Sequence, residues 1–322
     1  MKAWRLHELG DPKDVLKLED IEEPVAGDGE VVVEVKAASL NFFDILLCQG
    51  KYQERPELPF SPGGEVAGTV AGTDRRVITT PSPTGGFSQK VVASEDALFD
   101  IPDSLPAEKA AAMHIIYQTA HFALHRRGML REGETVVVNA GAGGVGSAAI
   151  QLAKAAGARV FATAGGPEKV EVCRRLGAEE VFDYRETDLK DIISEVKDRT
   201  NGRGADVVFD PVGGDVFDAS RRMVGFEGRI LVIGFAGGRI AEAPTNHVLV
   251  KNYSIVGVHW GLYRSVAPQL VRDTHEDLMR LYRAGEIDPL VHSVVPFSNV
   301  PDALVKLGSR GTHGKLVTRP SE

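Results

Sequence analysis

The chain has 322 residues, 43% of them apolar and 25% charged, with a formal net charge of −8. That length exceeds what one hydrophobic core usually organises, so two domains are expected. The acidic balance disfavours nucleic acid or an anionic membrane as a partner. Two cysteines, Cys48 and Cys173, lie far apart without CxxC spacing; they offer no thiolate cluster to a metal and fit a reducing compartment. No apolar run reaches the ~18 residues of a membrane span, and residues 1–20 are too polar for a signal peptide, so a cytoplasmic protein is expected.

In chain order, the first hundred residues read as short strands at 30–36, 65–70, 76–79 and 89–93, broken by Gly27-Asp28-Gly29 and the turn-rich run 81–86. After Gly133 the rhythm changes to strand 135–139, a glycine turn and helix 147–156. Strand 159–163, helix 167–176, strand 180–183, helix 189–199, strand 206–210, helix 215–223 and strand 229–234 follow, with a sixth strand at 253–258. Apolar strands alternating with amphipathic helices predict a parallel sheet covered on both faces. The tail carries one helix near 267–284 and short strand-and-turn segments ending at 314–318. The predicted fold class is α/β: a doubly wound (Rossmann) domain at 118–262, inserted in a β-rich domain made of 1–117 and 263–322.

Strand 135–139 runs through Ala140-Gly141-Ala142-Gly143-Gly144-Val145-Gly146 directly into a helix. Gly141, Gly143 and Gly146 satisfy G-x-G-x-x-G: the first for the tight turn, the second for backbone approach to a pyrophosphate, the third for close helix–strand packing. The helix N-terminus then offers unpaired N–H groups and a favourable dipole to phosphate, with Gly144 and Val145 in the same turn. The second strand ends in Thr163-Ala164-Gly165-Gly166, where an NAD site usually carries an acid for the ribose 2′-hydroxyl. With no carboxylate to repel a 2′-phosphate, and with Lys169, Tyr184 and Arg185 within reach, NADPH is the expected cofactor. The plainer alternative makes Lys169 a solvated helix lysine and Tyr184 a rim aromatic, and Glu168 beside Lys169 weighs on that side.

Several motifs in order resemble the medium-chain dehydrogenase/reductase superfamily, in its zinc-independent quinone oxidoreductase (zeta-crystallin-like) branch. They are Ala37-Ala38-Ser39-Leu40-Asn41-Phe42-Phe43-Asp44, Pro62-Gly63-Gly64-Glu65-Val66-Ala67-Gly68, the glycine turn, Phe182-Asp183-Tyr184-Arg185-Glu186, Asp210-Pro211-Val212-Gly213-Gly214 and Gly314-Lys315-Leu316-Val317. The resemblance covers essentially the whole chain. It implies a GroES-like catalytic domain around the Rossmann domain and assigns Gly165, Lys169 and Tyr184 to the 2′-phosphate. It also places Thr119, Phe235 and Asn246 near the nicotinamide. In the zinc-dependent branch, ligands stand where this chain has Asn41, Gly64 and Ile115, and none of these binds zinc.

Without a Lewis acid to stabilise an alkoxide, the expected acceptor is already electrophilic: a quinone or another conjugated carbonyl compound. Asn41 is the candidate donor to the oxygen on which charge develops, with a loop-capping asparagine as the alternative. Tyr52, by the same resemblance, matches a cleft position; its hydroxyl orients substrate or relays a proton, or the ring simply packs. Asp44 is expected to share a helical face with Asn41, more as a structural hydrogen-bonding group than as an acid–base. The rival readings are an enoyl-thioester or enone reductase on the same scaffold, and a low-turnover NADPH-binding redox sensor. Residues 253–258 are β-prone and uncharged and are expected at a sheet edge. An uncovered edge of that kind invites pairing, and relatives commonly dimerise there, so a homodimer through this strand is expected. Val256→Pro releases monomers if the Val256 N–H faces the partner.

Overall fold

The computed structural model describes residues 1–53, 55–81 and 85–321. Its chain divides into one unit of Met1–Ile115 with Pro289–Glu322 and another of Ile116–Asp288. The first unit opens with β1 (Lys2–Arg5), paired antiparallel with β2 (Lys17–Asp20). Then come β3 (Glu30–Leu40), β4 (Val66–Val70), β5 (Arg76–Thr79), β6 (Lys90–Ser94) and β7 (Phe99–Asp100). Strand β3 runs four residues beyond the expected end at 36. Ala37, Ala38, Ser39 and Leu40 are all buried, so both faces of the strand are covered there. A stretch covered on both faces carries no alternation, and the sequence therefore hides this end of the strand. The turn expected at 81–86 includes residues 82–84, which lie outside the described residues.

The second unit contributes β8 (Thr135–Val138), β9 (Arg159–Ala164), β10 (Glu180–Asp183), β11 (Ala205–Asp210), β12 (Val224–Val232) and β13 (Ser254–Gly257). They form one parallel sheet in the order β10-β9-β8-β11-β12-β13. This is the doubly wound order, with its switch point between β8 and β11, and ligands of such sheets bind beyond the strand carboxyl ends at that point. The core of this unit gathers Val137, Phe161, Val208, Ile230 and the helix residues Ile192, Val196 and Phe217.

β14 (Val291–Val295) and β15 (Lys315–Thr318) return to the first unit, whose sheet runs β14-β15-β3-β4-β5-β7 with β6 on β3. The return falls at Pro289, not at the expected 263. The reason is the helix Pro268–Arg283, which stays with the second unit. It buries Val271, Thr274, Leu278 and Met279 on one stripe, and Gln118 Nε2 donates to its Val271 carbonyl at 2.9 Å.

Strand β13 lies at the sheet edge. Val258 N–H donates to the Val232 carbonyl at 3.1 Å. Alternate residues of a parallel strand share a side, so Ser254 and Val256 also turn toward β12, and Ile255 and Gly257 turn outward. The Val256 N–H therefore belongs to the internal ladder, which corrects the position at which a proline tests the edge.

Candidate active site

The glycine turn lies where β8 ends and the helix Gly144–Ala155 begins. The turn is held by Gly141 N–H donating to the Thr163 carbonyl (2.8 Å) and Gly143 N–H to the Ala140 carbonyl (2.9 Å). A Cβ at Gly146 would sit 2.4 Å from the Ala140 carbonyl oxygen, a backbone atom that cannot move aside. The helix N-cap is Gly143, with no side-chain cap, so the first-turn N–H groups remain available to an anion. Gly144 and Val145 form the first turn of that helix. Across the switch point, Asp210 is 1% exposed and accepts from Val212 and Gly213 N–H (2.9 and 3.2 Å), and burial raises its carboxyl above the ordinary value.

The tip of the neighbouring strand β9 is crowded by an aromatic ring. A Cβ at Gly165 would lie 2.5 Å from the Tyr184 ring and hydroxyl, so Tyr184 lies flush on Gly165 while 44% exposed. Asp183 does not project a free carboxylate here: its Oδ1 accepts from Gly166 and Arg185 N–H, both at 2.9 Å. The Gly166 bond leads the effects that hold it below the usual carboxylate range. The Arg185 guanidinium lies against Gly166, with Nη1 3.1 Å from where a Cβ would stand. Lys169 occupies the first turn of the helix Pro167–Leu176. Phe235 follows β12 and is 45% exposed beside Gly213, and Asn246 is exposed in the helix Thr245–Lys251. Thr119 is half-buried in the helix His114–His121.

In the first unit, Asn41 is the N-cap of the helix Phe42–Cys48 and is 6% exposed. Its backbone N–H donates to Asp44 Oδ2 at 2.7 Å, and Asp44 Oδ1 accepts from Gly63 N–H at 3.1 Å. Asp44 is fully buried, which pushes its carboxyl up to about 7 against the two backbone bonds and the Lys315 charge. Both its oxygens serve the fold of the loop. Asn41 Nδ2 donates to Ser39 Oγ and Glu65 Oε2, each at 3.3 Å, and to the Ser39 carbonyl at 3.5 Å. Asn41 Oδ1 accepts from Lys315 Nζ. Glu65, 0% exposed, also accepts from Ser39 Oγ (2.7 Å) and from Ile115 N–H (2.8 Å). Tyr52 stacks its ring on Phe43, with centroids 5.5 Å apart and planes at 32°.

Sequence reasoning passed over Glu65 and Lys315 as site residues. Their motifs were visible, but nothing in the chain indicates that residues 41 and 315 touch.

A family model described as "Alcohol dehydrogenase GroES-like domain" matches residues 27–103, and one described as "Zinc-binding dehydrogenase" matches 144–276. A quinone oxidoreductase-like protein 2 homolog of Nematostella vectensis is 36% identical over 98% of this chain and 88% of its own. The chain belongs to the medium-chain dehydrogenase/reductase superfamily, in its quinone oxidoreductase branch. The quinone oxidoreductase of Thermus thermophilus, solved alone and with NADPH, is 37% identical and superposes with a TM-score of 0.85 over 99% of this chain and 100% of its own. The CurK enoyl reductase is 27% identical, with a TM-score of 0.87 over 99% and 98%.

Zinc-dependent members of this superfamily set a donor geometry to compare with. Asn41, Gly64 and Ile115 supply no thiolate or imidazole, and all three are knit to Glu65 by its two hydrogen bonds and the chain itself. A Cβ at position 64 would come 2.4 Å from the Phe43 ring, so an imidazole there requires Phe43 to move. These residues do not fit a zinc ion. Among the described residues, no group of three or more His, Cys, Asp or Glu side chains could hold a metal, and no helix is long and apolar enough to cross a membrane.

Proposed function

We propose that the protein is an NADPH-dependent oxidoreductase that delivers hydride to a quinone or another conjugated carbonyl compound without a catalytic metal. The NADPH complex of the Thermus relative supports the cofactor, and the residues fit it. Gly141, Gly143, Gly144, Val145 and Gly146 take the pyrophosphate at the helix N-terminus. Tyr184 lies on Gly165 and Arg185 on Gly166; with Lys169 in the first turn of the next helix they are the groups offered to the 2′-phosphate, the two cations supplying charge and the ring a wall. Thr119, Phe235 and Asn246 take the nicotinamide end by their place in the family pattern.

Bound NADPH supplies the hydride. The work of the chain is to align the acceptor and to meet the charge that arrives with that hydride. Asn41 Nδ2 makes contacts of 3.3–3.5 Å, long for N–H···O, so it can exchange them for the acceptor oxygen as charge builds there. Tyr52 orients the acceptor or relays the closing proton to it. The observation that carries the conjugated acceptor is the Glu65-centred knot at positions 41, 64 and 115. It offers hydrogen-bond donors but no Lewis acid, which suffices for an acceptor that delocalises charge and not for an unactivated alcohol.

NADPH oxidation with a benzoquinone, an enone and an aliphatic aldehyde tests this, before and after exhaustive chelation. Turnover with the first two, unchanged by the chelator, is expected. Loss of turnover on chelation, or one zinc per chain by elemental analysis, overturns the metal-free mechanism; negligible turnover with every acceptor favours a redox sensor. The likeness to the CurK enoyl reductase supports a second reading, an enoyl-thioester acceptor. Faster turnover with a crotonyl thioester than with any quinone moves the assignment there.

A further inference from the structure

Lys315 is 3% exposed, the first residue of a strand whose other members, Leu316, Val317 and Thr318, are also buried. An ammonium in that position is costly unless its donors are used. They go to the Leu40 carbonyl (3.0 Å) and Asn41 Oδ1, and Glu65 Oε2 lies 3.8 Å away. Antiparallel pairing of Leu316 with Leu40 brings Lys315 beside Asn41 across 274 residues of chain.

An ammonium has donors and no acceptor, whereas a carboxamide has one face of each kind. The Asn41 oxygen must therefore point at Lys315, and its NH2 group must point away, toward Ser39 and Glu65. A hydrogen bond from a cation to the amide oxygen also draws electron density from the nitrogen, which strengthens the N–H as a donor. Glu65 lies on the same ammonium and on the same amide nitrogen, so it balances the buried charge.

We infer that Lys315 is a positioning residue for the reduction: its ammonium fixes the Asn41 amide in one orientation and polarises the N–H that meets the developing oxyanion. The inference rests on the role proposed for Asn41. It adds a cation that acts through an amide without touching acceptor or cofactor.

A double-mutant cycle on the full-length protein separates this from a structural role. Wild type, Asn41→Ala, Lys315→Met and the double variant are compared for kcat with a benzoquinone, and for NADPH affinity by fluorescence. Losing one oxyanion donor costs roughly 10²–10³ in kcat, so Asn41→Ala should fall in or near that range and Lys315→Met by about tenfold or more, with NADPH affinity unchanged in both. In the Asn41→Ala background, Lys315→Met should change kcat by less than about twofold, because the residue it acts through is gone.

Multiplying losses in the double variant overturn the inference while leaving Asn41's role intact, as does an undiminished kcat in Lys315→Met. Full activity in Asn41→Ala removes the role of Asn41 itself and takes the inference with it. Should Lys315→Met not fold because Glu65 loses its partner, both Lys315→Met arms carry Glu65→Gln as well, so that neither member of the buried pair is left alone in any of the four proteins. The same coupling is expected there, and its absence is equally decisive.

Discussion

At Gly165 one missing methyl group lets Tyr184 lie on the strand tip, and the proposed 2′-phosphate site rests on that detail. A hydrogen bond to a charged group is worth about 1.5–3 kcal/mol. Lys169→Ala should therefore raise the KM for NADPH about tenfold or more and leave NADH nearly unchanged. Gly165→Ala drives a Cβ into the Tyr184 ring and should shift the same ratio in the same direction. Equal steady-state KM values for NADPH and NADH in the unmutated protein would sink the 2′-phosphate assignment. In the other unit, burial holds the folded Asp44 carboxyl at about 7, above its ordinary value of 3.8. Between those values the unfolded chain has released the proton and the folded chain keeps it. Asp44's contribution to stability is therefore fullest below the lower value and is lost as pH rises through the upper one. Asp44→Asn removes the titration and leaves a backbone N–H poorly matched, which costs about 1–3 kcal/mol. Urea midpoints should differ more between wild type and variant at pH ~5 than at pH ~7.5, because only the wild type loses this contribution on the way up. An equal difference would mean that Asp44 is ionised throughout. The glycine turn was legible in sequence because it lies within one strand–turn–helix unit. The Lys315–Asn41 contact was not, because only the register of the sheet creates it.

At the scale of elements, legibility followed periodicity. The helices Pro167–Leu176 and Leu189–Arg199 and the strand Glu180–Asp183 have the bounds that their apolar spacing predicts. Strand β12 begins at Val224, five residues before the predicted start, because Gly225 and Gly228 read as turn residues. The helices Thr245–Lys251 and Trp260–Val266 were missed: each is two turns long, and the first buries no residue, so neither carries a usable apolar stripe. The junction of β8 with its helix is the element whose geometry is least forgiving. Gly146→Ala would press a methyl on the Ala140 carbonyl oxygen at 2.4 Å, and overpacking of this kind costs about 1–3 kcal/mol. A lower melting temperature and a smaller stabilisation by added NADPH are expected together. A variant that melts lower yet gains the full shift from NADPH would show that the turn is structural and does not hold the pyrophosphate.

For the whole molecule, the proposed assembly rests on β13, the last strand of the parallel sheet. β13 is uncharged, contains no proline or lysine, and turns the backbone groups of Ile255 outward. The helices that precede and follow it expose Leu249 (75%), Val250 (80%), Leu262 (55%) and Val266 (71%). Arg127 Nε donates to the Gly257 carbonyl at 3.2 Å, but an edge open at Ile255 and flanked by apolar side chains is a surface that water solvates poorly and a second copy can cover. A two-fold axis pairs such a strand with itself and closes the assembly, so the proposed state is a homodimer whose sheets join at β13. Ile255→Pro is the incisive change, because it removes an outward N–H and spares the ladder to β12, which uses the N–H groups of Val256 and Val258. Light scattering of the wild type should give a mass near twice the 34.6 kDa of one chain, and Ile255→Pro should return it to one chain with the far-ultraviolet spectrum unchanged. Val256→Pro should instead damage the nucleotide-binding unit itself, lowering both the melting temperature and NADPH affinity. A wild type that scatters as a single chain at micromolar concentration removes the dimer.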